Sequence, residues 1–296
     1  MTNTECKICR SRSLTSYYPG DYRLLKCQDC GIIFLASEMA MKDTEDYYSK
    51  RFINHKYTSE STKLYLRKNS REVLNIIKKF RPNGNLLDIG TNIGIFVEEA
   101  NKQGYVAVGI EPSKTLSAEA ARLGIPVIES TIEKFDPKNT FDVITMLHVL
   151  EHLQDPLEVL KKIRSLQSDD GLLVLEVPNI ESYLGEKDGI FWKFIALEHL
   201  FYFSERNISG ILKRAGYKVL VIKKRNFELN RLNIRKLIRY FIGKKLTRDR
   251  FFNKKESLAA GLLNECLLKS VVRKFLIFFI HILGREDRIL IIAQKC

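Results

Sequence analysis

Three groups of residues in this chain have types and spacings that chemistry needs. The first is a set of thiols. Cys6-Lys-Ile-Cys9 and Cys27-Gln-Asp-Cys30-Gly31 are two Cys-x-x-Cys pairs, each able to form a tight knuckle that presents both sulfurs to one centre. Two such pairs across a loop read as a four-thiolate zinc site, structural because no coordination position is left open. The chain opens Met-Thr-Asn-Thr-Glu-Cys, without the basic-then-apolar pattern of a secretion leader. A cytoplasmic, reducing setting is therefore expected, and a disulfide reading is disfavoured. Cys266 and Cys296 lack a partner motif and read as inert.

The second group surrounds a glycine-rich turn. Gly84-Asn-Leu-Leu-Asp88-Ile-Gly90-Thr-Asn92-Ile-Gly94 begins as an apolar run, passes an acid, turns on glycines and enters an amphipathic stretch. Strand, loop and helix are predicted, with the free N–H groups of the helix start pointing into the crevice beside the turn. A dinucleotide fingerprint spaces its glycines G-x-G-x-x-G. Here Gly90 and Gly94 stand further apart, and Asp88 would repel a pyrophosphate. A carboxylate there suits a ligand carrying an ammonium group and a sulfonium. The next strand, Tyr105–Ile110, ends at Glu111, an acid placed to accept hydrogen bonds from both hydroxyls of a ribose.

The third group holds candidate bases. His148, Glu151 and His152 stand at i, i+3 and i+4, so a helix there would bring all three to one side. Glu198-His199 lies further along, ahead of a helix whose N-cap is Ser204; Asn207 makes only a partial capping box with it.

Elements that would carry these groups follow from periodicity. A helix is predicted over 61–80, stopped by Arg81-Pro82-Asn83-Gly84. Strands are expected at 85–89, 105–110, 126–129, 141–147, 171–177 and 217–224, with helices at 92–102, 114–123, 156–166 and 204–214 between them. Alternation at this spacing means a parallel, doubly wound α/β sheet with ligands at the carboxyl ends of the strands. Asp88, Glu111, Thr131, Leu147 and His148 all fall at such ends. Arg23–Lys26 and Ile32–Leu35 read as short strands beside the second thiol knuckle.

Asp88-Ile-Gly90-x-x-x-Gly94, Glu111, Phe141-Asp-Val-Ile144 and His148-Val-Leu-Glu151-His152 together resemble the class I S-adenosylmethionine-dependent methyltransferases over roughly residues 70–225 and the last ten. The resemblance implies a Rossmann-like sheet of seven mostly parallel strands whose last strand, Arg288–Ala293, inserts antiparallel. It implies S-adenosylmethionine held by Asp88, Gly90, Asn92, Gly94, Glu111, Thr131 and Leu147. Many members carry a further glycine where Asn92 stands; asparagine tolerates left-handed backbone better than most residues. In related sugar methyltransferases a Glu-His pair at the place of Glu198-His199 is implicated in catalysis. Other relatives bind magnesium through Glu-x-x-Glu-His. Here His148 replaces the first Glu, which disfavours magnesium and leaves zinc or no metal. Three readings remain: His199 as general base oriented by Glu198 or Glu151, His148 and His152 as structural groups behind the site, or a metal site of His148, Glu151, His152 and His199.

The domains expected are a zinc ribbon at 1–36, a linker and helix at 37–80, the methyltransferase domain at 81–225 plus 286–296, and a basic helical insertion at 226–285. The chain carries a formal charge of +14. From Lys223 to Arg285 there are 17 Lys/Arg and 4 acids, 17 − 4 = +13, so the excess is local and the rest is near neutral. Its amphipathic pattern suits either peripheral contact with an anionic membrane or a helical flap with a solvated basic face. The tyrosine-rich 37–60 is expected over the site mouth, and Phe191, Trp192, Phe194, Phe201 and Tyr202 on the acceptor pocket wall. The leading expectation is methyl transfer to a hydroxyl of a small acceptor, a nucleotide- or lipid-linked sugar of surface polysaccharide. Similar ribbon-bearing enzymes that methylate sugar carbon carry a further carboxyl-terminal domain, which disfavours C-methylation. Two alternatives are an RNA methyltransferase gripping phosphates with ribbon and insertion, and a non-catalytic zinc-ribbon interaction module.

Overall fold

The computed structural model describes residues 5–18, 21–36, 59–225, 281 and 284–296. Most of the expected linker and of the basic insertion lies outside the described residues, so the membrane, flap and site-mouth expectations are not addressed by them. No helix among the described residues is long and apolar enough to cross a membrane.

The chain first forms β1 (Leu14–Tyr18), β2 (Asp21–Cys27) and β3 (Ile33–Leu35). Then come α1 (Glu60–Ile77), β4 (Gly84–Ile89), α2 (Ile95–Lys102), β5 (Tyr105–Glu111), α3 (Lys114–Arg122) and β6 (Val127–Glu129). The second half holds β7 (Phe141–Leu147), α4 (Pro156–Leu166), β8 (Gln167–Pro178), α5 (Tyr183–Asp188), β9 (Phe201–Tyr202), α6 (Glu205–Arg214), β10 (Tyr217–Arg225) and β11 (Arg288–Lys295).

Seven strands form one sheet in the order β10-β11-β8-β7-β4-β5-β6. Only β11 runs antiparallel to its neighbours, pairing with both β10 and β8. Strand order reverses between β4 and β7, where an open α/β sheet leaves its ligand crevice. Central strands are apolar on both faces because helices cover both. Leu86 faces Val73, Leu74 and Ile77 of α1 and Val97 of α2; Leu87 belongs to the opposite core with Leu160 and Ile163 of α4 and Ile208 and Ile211 of α6. Arg71 of α1 donates from Nε to Oε2 of the buried Glu99 at 2.5 Å, fixing α1 on α2.

Two expectations change for physical reasons. Helix α2 starts at Ile95, later than the expected 92, because Asn92 and Gly94 are left-handed at φ 58 and 78 and cannot lie inside a helix. Ser204 and Asn207 make a complete capping box, Asn207 Oδ1 accepting from the Ser204 N–H at 2.9 Å; the amide of asparagine serves where glutamate was sought. The smaller sheet, β1-β2-β3-β9, was only half anticipated: β1 and the two-residue β9 are too short to show a period.

Candidate active site

Strands β4 and β5 are parallel neighbours in register Asp88↔Gly109 and Ile89↔Ile110, so Asp88 and Glu111 stand at adjacent strand tips. The turn that follows β4 is tied to β5: the N–H groups of Gly90 and Thr91 both donate to the Ile110 carbonyl, at 2.9 and 3.1 Å. Asn92 donates its N–H to Glu111 Oε2 at 2.9 Å, and Ser113 its N–H to Oε1 at 3.0 Å. Each carboxylate oxygen has a second lone pair, so Glu111 retains capacity for two hydroxyl donors. Burial pushes its carboxyl above the ordinary value, against the pull of those two N–H groups.

Asp88 is 3% exposed, and Thr145 of β7 donates its hydroxyl to Asp88 Oδ1 at 2.6 Å. Burial pushes the Asp88 carboxyl up to about 6, offset in part by the hydroxyl bond and helped by the nearby Glu111 charge. A bound cation needs this group ionised. Affinity for a cationic nucleoside is therefore expected to fall toward tenfold per pH unit below about pH 6. Calorimetry across pH 5–7 checks this, and Asp88→Asn is expected to flatten the dependence.

Gly90 and Gly94 are both required by the backbone. They have φ 70 and 78, and a Cβ would sit 2.5 Å from Val149 Cγ2 and 2.6 Å from Ile125 Cγ2 respectively. The first contact also shows that the glycine turn lies directly against the 148–152 turn. Gly90→Ala combines left-handed strain of roughly 1–2 kcal/mol with displacement of Val149. It is expected to lower the melting temperature by several degrees and cofactor affinity by about tenfold or more, read by calorimetry and thermal denaturation.

Past the tip of β7 the candidate bases part company. His148 is left-handed at φ 60, and only Leu150–His152 forms a short 3₁₀ turn. The common helical face expected for 148, 151 and 152 is therefore not built. His148 lies between two carboxylates, Nδ1 at 3.3 Å from Glu151 Oε1 and Nε2 at 3.2 Å from Glu176 Oε1. Burial and Arg288 lower its pKa, but the two carboxylates more than offset them and hold it above the ordinary histidine value. Glu176 is fully buried and also accepts from Arg288 Nη1 at 2.8 Å and Arg225 Nη1 at 2.5 Å.

Glu151, His152 and His199 instead converge: one ligand-type atom from each lies within 4.8 Å of the others. Glu151 is 1% exposed, and its Oε2 has no hydrogen-bond partner. Burial acts against its charge, yet His148, then His152 and His199, hold its carboxyl down at about 2. His199 is pushed down to about 4 by burial and by His152, so it is neutral at physiological pH. The His152 and His199 rings meet edge to face at 4.6 Å, and Phe194 stacks on His199 at 6.1 Å. Glu198 takes part through its backbone: its carbonyl lies 2.8 Å from His152 Nδ1. Trp192 is buried against Phe194 at 5.0 Å, Phe201 and Tyr202 are buried in β9, and Phe191 is 85% exposed. Leu147 ends β7 half-buried; Thr131 lies beyond β6, its carbonyl taking the N–H groups of Lys134 and Phe135.

Thr145, Glu176, Arg225 and Arg288 were not anticipated. Their signal was present, since Thr145 interrupts the apolar run Val143–Leu147 and Glu176 the apolar run Leu172–Val177.

The four cysteines of the knuckles also converge. Cys6 Sγ–Cys30 Sγ and Cys9 Sγ–Cys27 Sγ are 3.5 Å apart, and all four sulfurs lie within 4.8 Å of one another. A tetrahedral zinc with bonds of about 2.3 Å needs sulfurs about 3.8 Å apart, so the set fits one such ion. Hydrogen bonding within the set draws the Cys6 thiol below its ordinary value while Cys30, by the same bonding, and Cys9, by burial first, are pushed above theirs, as for sulfurs that share protons at close range.

A family model described as a methyltransferase domain matches residues 61–222. With the seven-stranded sheet and its antiparallel β11, this makes the chain a member of the class I S-adenosylmethionine-dependent methyltransferase family. The chain is 30% identical over 100 residues to a ubiquinone biosynthesis O-methyltransferase of Bradyrhizobium diazoefficiens, a match covering 32% of this chain and 40% of that enzyme. It thus spans about two fifths of the length of the curated relatives it matches. A SAM-dependent methyltransferase from Archaeoglobus fulgidus superposes with a TM-score of 0.54 at 20% identity, over 84% of this chain and 100% of that one. The magnesium protoporphyrin IX methyltransferase of Synechocystis PCC 6803, solved with S-adenosylhomocysteine bound, gives a TM-score of 0.52 at 12% identity, covering 85% and 97%. At these identities the two structures bear on the fold.

Proposed function

We propose that this chain transfers the methyl group of S-adenosylmethionine to a hydroxyl of a small acceptor, with a nucleotide- or lipid-linked sugar as the acceptor class. The supporting observation is the placement of the Glu151–His152–His199 cluster at the strand-order reversal, one side chain from the glycine turn. Asp88 holds the ammonium group of the cofactor and Glu111 its ribose hydroxyls. The left-handed Asn92 and Gly90 and Gly94 let backbone approach the rest of the cofactor. What the cofactor supplies is a methyl group on a positively charged sulfur.

His199, neutral and buried, would accept the proton of the acceptor hydroxyl. Glu151 then faces an imidazolium at close range and stabilises it. A base of this kind contributes roughly 10²–10⁴-fold, and holding the two reactants in line contributes further. Trp192 and Phe194 back the imidazole and exclude water. The ribbon cysteines Cys6, Cys9, Cys27 and Cys30 hold a structural zinc ion.

The unpartnered Glu151 Oε2 favours a second reading of the same cluster, in which Glu151, His152 and His199 hold a metal ion that acidifies the acceptor. His148, engaged with Glu176, is not in that set. The curated relative's name, ubiquinone biosynthesis O-methyltransferase, also supports a comparison acceptor, a hydroxyl-bearing precursor in ubiquinone biosynthesis.

The test is methyl incorporation from labelled S-adenosylmethionine over a panel of sugar nucleotides, polyprenyl-phosphate sugars and hydroxyl-bearing ubiquinone precursors. O-methylation of a sugar is expected, and labelling of a ubiquinone precursor alone would overturn the sugar assignment. Metal analysis of a quadruple Cys→Ser ribbon variant separates the two cluster readings. Stoichiometric residual metal would favour the second, and its absence with activity insensitive to chelators would favour the first.

A further inference from the structure

The thiol knuckles and the His199 loop are covalently remote but share one sheet. Strand β3 follows directly on Cys30-Gly31-Ile32 and pairs with β9 in register Ile33↔Tyr202 and Phe34↔Phe201. At the end of that ladder Leu35 donates its N–H to the Leu200 carbonyl at 2.9 Å, and Leu200 donates its own N–H to the Glu151 carbonyl at 2.7 Å. The backbone of Leu200 thus bridges the thiol-bearing unit and the 3₁₀ turn that carries Glu151 and His152, with His199 one residue away. Further bonds close the frame. Asn207 Nδ2 donates to the Gly31 carbonyl at 3.3 Å, and Lys7 Nζ to the Gln154 carbonyl at 3.3 Å. Cys6, Ile8, Leu24 and Ile32 pack in the same core as Leu150, Leu200, Phe201 and Phe203. A merely appended module would bring its own core and leave the edge of β3 to solvent.

We infer that β3, held by metal at the four thiols, is a positioning strand of the catalytic centre: through Leu35 and Leu200 it sets His199 against Glu151 and His152. Removing the metal releases the Cys27–Gly31 knuckle, frays β3 and lets the 196–203 segment drift, while the crevice of β4 and β5, which shares apolar core with the ribbon but no hydrogen bond among the described residues, is held by its own parallel ladder. Occupancy of the thiol site would then govern transfer without governing cofactor binding.

This inference rests on the role proposed for His199, so its test uses no acceptor turnover. The full chain loaded with Zn²⁺ is compared with the chelator-stripped chain and with Leu35→Pro, which removes one N–H and leaves all four thiols. Three signals are read: amide hydrogen exchange, carbethoxylation of His199 by diethyl pyrocarbonate, and the dissociation constant of S-adenosylmethionine. Stripping is expected to raise exchange over 196–203 and His199 modification by about tenfold or more, with β4 and β5 protected as before. Cofactor affinity is expected to stay within about threefold. Leu35→Pro should reproduce the change with zinc still bound, and Zn²⁺ added back should reverse it in the stripped chain. The inference is overturned if His199 reactivity and exchange over 196–203 stay unchanged, or if β4, β5 and cofactor affinity collapse together with them. A His199→Ala variant with normal turnover would instead remove the functional reading while leaving this coupling measurable.

Discussion

Asp88→Ala is expected to weaken S-adenosylmethionine binding by about 100-fold or more, the loss of roughly 3 kcal/mol that follows from deleting a buried charge-assisted partner. The size follows from the surroundings. Asp88 is 3% exposed and fixed by the Thr145 hydroxyl, so it is pre-aimed, and little water competes for it. Glu111→Ala should cost as much by another route. Besides the ribose contacts proposed for it, it removes the carboxylate that accepts the Asn92 and Ser113 N–H groups and ties the turn to β5. Glu111→Gln separates the effects, because its amide carbonyl still takes one of those N–H groups. Its melting temperature should stay nearer that of the parent, although binding falls. Calorimetry paired with thermal denaturation reads both, and Asp88→Ala with unchanged affinity would remove Asp88 from the site.

His199→Ala is expected to lower kcat by roughly 10²–10⁴-fold while cofactor affinity holds. His199 lies two residues before β9, and no hydrogen bond among the described residues joins it to Asp88, Glu111 or the glycine turn. A pH profile sharpens the assignment. With the His199 pKa down at about 4, its neutral form is already complete at pH 6, so kcat should show no histidine limb between pH 6 and 8. Any loss of kcat/KM below about pH 6 then reflects Asp88 and cofactor capture. Glu151→Gln should lower kcat as well, by removing the charge that steadies the imidazolium. Its effect also reaches His148, whose elevated pKa depends on that carboxylate. His199→Ala with near-normal turnover would strike the base assignment.

The sheet was largely legible because its signal is periodic. Strand β7 and helix α4 occupy the stretches read from the sequence, 141–147 and 156–166, and the paired acids of β4 and β5 face one crevice as their places at strand ends required. What a period does not carry was harder to read. Strand β9 is two residues long and exists because β3 lies beside it, a contact between positions about 170 residues apart along the chain. His148 shows the same limit: its ring reaches Glu151, three residues on, and also Glu176 on the neighbouring strand. The i, i+3, i+4 spacing assumes a helix, and a left-handed residue at 148 turns the ring to Glu176 on the neighbouring strand. The resemblance places the aromatic stretch 191–202 at the acceptor pocket without saying which of its side chains meets solvent, as Phe191 does at 85% exposure.

The role of Glu176 lies in the same gap between pattern and partner. A lone acid in Leu172-Leu-Val-Leu-Glu176-Val-Pro178 marks a burial that must be neutralised. The sequence does not say that Arg225, Arg288 and His148 supply the charge. Removing one partner of such a buried set costs more than the set contributes. Arg288→Ala is accordingly expected to destabilise the fold and to disturb His148 together.

The measurement that bears most directly on the whole account is calorimetric titration of the full wild-type chain with S-adenosylmethionine and, in parallel, with NAD at neutral pH. The account predicts a single saturable site for S-adenosylmethionine and no saturable heat with NAD, whose pyrophosphate the Asp88 carboxylate repels. No binding of S-adenosylmethionine, or equal binding of NAD, would contradict it.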